Sequence, residues 1–389
     1  MFKNILISGF LCTFLSAESF DTFLHRAIEN SAYLESSALS KKQAKEQGLV
    51  VTRYANPSLE LEYSDFEPRV GGSDNGYRIN ISQPIRFWGV GDDRKRLSSK
   101  LIKNADTNYV QNRARFIRDL SLAYANYTNK KYLIKLGVQE KKIAKTIYDI
   151  SKSRYEAGTI SRGFMLQAKI DYEMVQIKNE KLSLVSRNAY YYLLDASGIN
   201  EEITLDDTFV FSLPQQQGIQ NNPNLMVLKS EKERVVAQAN LDTNKVEWVN
   251  IFGELENEPA QDILRVGVNL PLAIFNTKSQ EKQIAKLQNS RALLLIQNQE
   301  TKLNINNLRL QQERETLISL ESKNQEILVS QEELLKMFQV GYKIASINLL
   351  QLQDIKNKVI STKRALIQTK TALDKNAIRQ TYNQGKYND

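Results

Sequence analysis

The residue types that carry most enzyme chemistry are nearly missing from this chain. Of 389 residues, one is a histidine, His25, and one a cysteine, Cys12. Nucleophile and base pairs need more than that, and no glycine-rich phosphate loop or metal-ligand spacing is present. The sequence therefore reads as no enzyme, with no cofactor and no resident metal, and the lone histidine reads as structural. The polar residues that do fall in a pattern are Glu60, Glu62, Arg78, Asn80, Arg265 and Asn269. They alternate with Leu59, Leu61 and Tyr63, with Tyr77, Ile79 and Ile81, and with Leu264, Val266, Val268 and Leu270. Successive strand side chains face opposite sides of a sheet. These are strands with one wet face and one apolar face.

The elements that must position these strands come in two copies. The first repeat, 18–198, opens with a helical pattern from Ser19 to about Gln47. Strands at about 57–66 and 77–84 follow, then a helix from Gly91 to Arg154 without a proline, roughly 90 Å at 1.5 Å per residue. Ile117, Leu120, Tyr124, Tyr127, Lys131, Ile134 and Val138 form a three-four seam along it. A tip at 155–161 reverses the chain, with Gly158 suited to a helix stop and Ser161 to capping the next helix. The returning arm carries Ala168, Tyr172, Val175, Asn179, Leu182, Ser186, Ala189 and Leu193 on its seam, so the arms pack as an antiparallel hairpin. A linker at 199–221 leads to the second repeat, 222–379. Its strands lie at about 247–256, the weaker, and 263–270, and its tip at 338–346. There Phe338-Gln339-Val340-Gly341 aligns with Tyr155-Glu156-Ala157-Gly158, and Pro84 and Pro271 stand at matching strand ends. The polar tail at 380–389 reads as flexible. The fold class is mainly α with a small β part, built by internal duplication.

The first seventeen residues differ from the rest. Lys3, an apolar run from Ile5 to Leu15 and a Ser16-Ala17 exit read as a secretory signal. Leu11 is too large to precede a lipid-modified Cys12. No later stretch offers the ~20 apolar residues of a spanning helix, whereas strands of ~9–11 residues can enter an outer membrane. Four such strands cannot close a wide barrel, and an open edge cannot face lipid. Copies of the chain must associate, with the apolar face outward and the six polar residues lining a lumen. The formal charge of +9 comes from Lys and Arg interspersed with Glu and Asp along helices, which reads as solvated surface and not as a nucleic-acid partner.

The chain resembles the TolC family of outer-membrane efflux proteins over nearly its whole mature length. The resemblance rests on Asn56-Pro57-Ser58-Leu59, Ser82-Gln83-Pro84-Ile85, Leu270-Pro271-Leu272 and the tip turns Tyr155-x-x-Gly158 and Phe338-x-x-Gly341. It implies a homotrimer with a twelve-stranded barrel in the lipid of a Gram-negative outer membrane and an α-helical tunnel in the periplasm. It further implies a periplasmic adaptor and an inner-membrane pump as partners, with the adaptor docking at the tips: Tyr155, Gly158, Ser161, Phe338, Gly341 and Ser346. Where the family often has a tip carboxylate, this chain has Phe164, and Asn348 near the matching place of the second copy; Asp171 and Asp354 are the acidic alternatives for a gate. Within the family, Leu59-Glu60-Leu61-Glu62-Tyr63 and Val268-Asn269-Leu270-Pro271-Leu272 look most like the metal-cation branch, with drugs as the other substrate class. The competing reading is a periplasmic coiled-coil adaptor, which would flank one hairpin with extended β-domains instead of carrying two hairpins and short strands.

Overall fold

A computed structural model describes residues 17–67, 70–72, 74–213 and 218–388. The expected leader lies outside the described residues except for Ala17. Two hairpins of very long helices extend from one four-stranded antiparallel sheet. The order is α1 (Phe20–Asn30), α2 (Ala32–Thr52), β1 (Ser58–Phe66), β2 (Asp74–Arg86), α3 (Val90–Glu156), α4 (Arg162–Ser197), α5 (Pro223–Asp242), β3 (Trp248–Glu258), β4 (Gln261–Asn269), α6 (Ser279–Lys343) and α7 (Leu349–Asn383). The pattern that reads as one helix from Ser19 is two, because Ser31 ends α1 and caps α2, its Oγ accepting from Leu34 N at 3.3 Å. His25, on α1, sits 3.3 Å from Glu29 with both side chains exposed.

At 67 residues α3 spans about 100 Å. It packs against α4 and α7 and, toward the sheet, between α2 and α5, while α6 lies against α5 and α7. The α3 seam is buried at Ile117, Leu120, Tyr124 and Tyr127, but Val138 is exposed. Below it the buried stripe has moved to Leu136, Glu140, Ala144, Ile147 and Ser151. A helix of 3.6 residues per turn drifts against a 3.5-residue repeat, and the shift occurs where Gly137 lets α4 come close, its carbonyl accepting from Asn179 Nδ2 at 2.8 Å. The two hairpins meet near their tips in one apolar cluster of Ile147, Ala168, Leu335, Tyr342, Leu352, Ile355 and Val359.

Two segments are better ordered than their composition suggests. Residues 199–213, expected as linker, form a strap: Ile199 and Leu205 are buried, and the Phe209 and Phe211 rings pack tilted and edge-on against Phe20, with centroids 4.7 and 5.1 Å away. The expected flexible tail is also corrected. Helix α7 continues to Asn383 with Gln380, Tyr382 and Asn383 buried, and Asn388 Nδ2 donates to Asn221 O at 2.8 Å. Gln380 gives to Asn376 at 2.7 Å and Asn383 to Asn307 of α6 at 2.9 Å, so polar composition here does not mean solvation.

Both outer edges of the helical layer are apolar and unpartnered. On α4, Ile170, Met174, Ile177, Leu184 and Tyr191 are exposed at three-four spacing, and on α6 so are Ile284, Leu287, Leu294, Ile305 and Leu308. These are coiled-coil stripes with nothing from the described residues on them. No helix among the described residues is long and apolar enough to cross a membrane.

Candidate functional site: the two-faced sheet and the hairpin tips

The sheet order is β1-β2-β3-β4, so β1 and β4 are open edges. Its register stacks like with like. Glu60 pairs with Asn80, Asn80 with Glu254 and Glu254 with Arg265; one row outward, Glu62 pairs with Arg78 and Arg78 with Glu256. Arg78 reaches Glu62 at 2.9 Å and Glu256 at 3.0 Å, Arg265 pairs with both Glu254 and Glu256, and Asn80 donates to Glu60 at 3.3 Å. Glu62, Arg78 and Arg265 thus join Glu254 and Glu256 in one charge ladder, Glu60 and Asn80 pair beside it on the same face, and Asn269 stands there opposite Asn250. Sequence reasoning passed over Glu254 and Glu256. The signal was there, in Glu254 and Glu256 alternating with Gly253, Leu255 and Asn257, but Phe252 on the polar parity and Gly253 on the other hide it.

The opposite face is apolar and open. Leu61, Tyr63, Leu264 and Val266 are 69%, 68%, 71% and 78% exposed, with Leu59, Ile81, Leu255 and Val268 beside them. A soluble sheet buries that face; here it is the polar face that is partly covered. Where the strands become helices, the two copies match position for position at an offset of 187: Pro84 with Pro271, Phe87 with Ile274, and Trp88 with Phe275. Trp88 and Phe275 are 96% and 99% exposed. From Tyr77 to Phe87 is about 33 Å of strand, which a tilt near 40° reduces to roughly 25 Å, the height of a barrel's lipid-facing band between aromatic girdles.

The tips use the same backbone device with different residues. After α3, Gly158 takes φ +71, and Thr159 donates from both N and Oγ1 to Arg154 O at 2.8 and 2.9 Å. After α6 the left-handed residue is Ala345 at φ +66, and Ser346 donates from N and Oγ to Gly341 O at 2.9 and 3.1 Å. Ala345 is therefore the counterpart of Gly158, and Tyr342 of Tyr155, again at the offset of 187. The alignment of Phe338-x-x-Gly341 with Tyr155-x-x-Gly158 is one helical turn out, because α6 continues to Lys343. Gly341 is there for close approach instead: a Cβ would lie 2.6 Å from Ile347 Cγ1. Phe338 is half-buried against the inter-hairpin cluster.

Ser161 holds the N-cap position of α4 but makes no side-chain cap bond, a departure from its expected capping role. Asn348 does cap α7, accepting from Gln351 N at 2.9 Å while Gln351 Oε1 accepts its own N–H at 3.3 Å. The four gate candidates do not converge within the chain. Phe164 is exposed on the first turn of α4, and Asp354 pairs on the surface with Lys358 at 2.7 Å. Asp171 instead takes Lys356 Nζ at 2.7 and 2.5 Å, and Lys356 is fully buried. The sequence did not single out Lys356, Arg154 or Tyr342, yet they tie the hairpins together. Arg154 lies 4.8 Å over the Tyr342 ring and donates to Tyr342 O at 2.9 Å, and the Tyr342 hydroxyl meets Ser151 at 2.8 Å.

A family model for outer membrane efflux proteins matches residues 23–198, the span of the first repeat. Comparison with curated proteins by sequence finds no match. Among solved structures, the Campylobacter jejuni CmeC outer membrane channel is similar at 17% identity and a TM-score of 0.74, covering 94% of this chain and 85% of its own. CusC is similar at 14% identity and a TM-score of 0.79, with 94% and 91% covered. VceC of Vibrio cholerae is similar at 13% and 0.76, with 94% and 95% covered. Identities this low speak for the fold, and they do so over both repeats. Residues 23–198 are thus similar to the outer membrane efflux protein family, and the whole chain carries the fold of these outer membrane channels.

Proposed function

We propose that this chain is the outer-membrane duct of a tripartite efflux system. The observation that carries the reading is the inverted sheet, with an exposed apolar face, a charge ladder opposite, and two unpaired edge strands. In lipid those edges must be closed, and three copies pairing β1 to β4 give twelve strands with the ladder on the lumen. The exposed stripes on α4 and α6 supply the matching contacts between neighbouring copies in the tunnel. On the lumen face Glu60, Glu62, Glu254, Glu256 and Glu258 outnumber Arg78 and Arg265, so the barrel is acidic in a chain whose net charge is +9.

The duct is passive. An inner-membrane pump supplies the energy, and a periplasmic adaptor docks at the tips around Tyr155, Gly158, Ser161, Phe338, Gly341 and Ser346. Substrates are metal cations or drugs chosen by the pump, and transport involves no bond making in the duct. The purified protein is tested in planar bilayers, with its mass measured in the same detergent. Discrete conducting events from a trimer are expected. A water-soluble, monodisperse protein that never conducts would return the assignment to a coiled-coil adaptor.

A further inference from the structure

The wet face of the sheet carries one large apolar side chain in a row of small ones. Ser58 pairs with Ser82, Ser82 with Phe252 and Phe252 with Gly267. An aromatic ring standing away from a wall in water would expose both faces and narrow the path. Phe252 does neither. A Cβ at Gly267 would lie 2.5 Å from its Cζ and 2.7 Å from its Cε1, so the ring lies down on the glycine of the neighbouring strand. Covering apolar surface favours that posture by roughly 25 cal/mol per Å², and only glycine leaves room for it. The same device recurs at the far end of the sheet, where Phe66 Cε2 would be 2.8 Å from a Cβ at Gly76.

We infer that Gly267 sets the bore of the barrel by holding Phe252 flat against the wall. This rests on the duct reading, which makes the ladder face the lumen. Three copies place three such rings at one level, just inside the rows of Glu254 and Arg265. Any side chain at Gly267 lifts each ring off the sheet into the aqueous path, where the row offers only serines beside it. Large solutes are then excluded while small ones still pass. Gly267 is a positioning residue here, acting through Phe252. Gly76 is the poorer place to test the idea, since a Cβ there would also lie 2.6 Å from the Asn257 carbonyl oxygen and disturb the sheet itself.

The test uses size-graded, water-soluble maleimides added from the extracellular side to the full-length protein in cells or oriented proteoliposomes. A single thiol, Asn269→Cys in a Cys12→Ser background, lies on the wet face on the helix side of the Phe252 row. With Gly267→Val, labelling by the smallest reagent is expected to stay within about twofold while that by the largest falls about tenfold, as pore diameter governs selection. Adding Phe252→Ala should restore the large-reagent rate. An unchanged large-reagent rate in Gly267→Val, or a loss that Phe252→Ala does not reverse, overturns the inference. Should Gly267→Val fail to assemble, Phe252→Ala alone decides it: a flat ring predicts less than a twofold change for the large reagent, and a severalfold rise would mean that the ring already projects. Failure of even the smallest reagent to label the Asn269→Cys protein would sink the duct reading itself, an outcome distinct from all of these.

Discussion

The two repeats share a plan and differ in how much of each is covered. Lys169 on α4 and Lys356 on α7 are equivalent at the offset of 187, yet Lys169 pairs on the surface with Glu173 at 3.6 Å, whereas Lys356 is fully buried on Asp171. The sequence around them does not explain this, since Ala168 and Ile355, one residue before, are both buried. Position does. Helix α4 packs mainly on α3 and meets α7 near the tip, through Gln167 and Asp171, whereas α7 packs along its length on both α3 and α6. The same lysine is solvated at the edge of the layer and desolvated in its middle. Duplication copies the chain, and location in the helical layer then decides which copy of a residue carries structural weight.

The sharpest way to break that comparison is to remove the carboxylate that the buried lysine needs. Asp171→Ala leaves Lys356 charged with no partner, and losses for a buried pair run to about 3–5 kcal/mol; about 3 kcal/mol is expected because the Asp171 side chain is 25% exposed. Asp171→Ala with Lys356→Met should recover most of it, since methionine suits a stripe shared with Leu352, Ile355 and Val359. Lys169→Met should change stability by less than about 0.5 kcal/mol. Urea midpoints of the four proteins in one detergent measure all three effects, and equal costs at 169 and 171 would show that the two copies are not differently buried.

A smaller pair of effects tests the tips. Gly158 and Ala345 adopt the same left-handed conformation, but only alanine pays for a Cβ there, about 1–2 kcal/mol. Gly158→Ala should therefore destabilise by about 1 kcal/mol and Ala345→Gly stabilise by roughly 0.5–1 kcal/mol, opposite signs for inverse changes. If both substitutions destabilise, Ala345 is held by contacts of its own methyl group, and the tips are alike in shape only.

Much of this was legible in the sequence wherever periodicity was unbroken. The alternation in β1, β2 and β4 and the three-four run of α4 marked the faces that the structure exposes and buries. What failed had physical causes. A Tyr-x-x-Gly match aligned the tips one turn out because residue type is a poorer guide to a helix stop than the left-handed position, which alanine fills in the second copy. Strand β3 looked weak because Phe252 occupies a polar-parity position that makes sense only once Gly267 lies beside it. The Asp171–Lys356 and Arg154–Tyr342 ties join residues more than 180 positions apart, and no local spacing announces them. The strap and tail read as loose because their amides, aromatics and carbonyls satisfy one another only after the hairpins have folded.

An effect that appears only at higher pH lies where the strap joins the two repeats. On the first repeat the hydroxyls of Tyr124 and Tyr132 give to the carbonyl oxygens of Asp206 and Asp207, and Lys135 Nζ gives to the Asp207 carboxylate at 2.7 Å. On the second, Phe211 N gives to the Asp374 carboxylate at 3.4 Å. Burial pushes the Asp374 carboxyl up to about 6; the Phe211 amide and Lys370 oppose the rise, and Glu321 adds to it. An unfolded aspartate has lost its proton by about pH 4, whereas the folded one keeps it to about pH 6. Its contribution is thus fully present below about pH 4, is lost as pH rises through 6, and stays lost above. Asp374→Asn, neutral throughout and still able to accept from Phe211, should match the parent at pH 4 and exceed it at pH 7.5. Each pKa unit is worth about 1.4 kcal/mol, and partial exposure of the group cuts a two-unit shift to a gain of about 1 kcal/mol. Unfolding midpoints of both proteins from pH 4 to 8 would show the divergence, and a constant difference across that range would mean that burial of Asp374 does not couple its proton to folding.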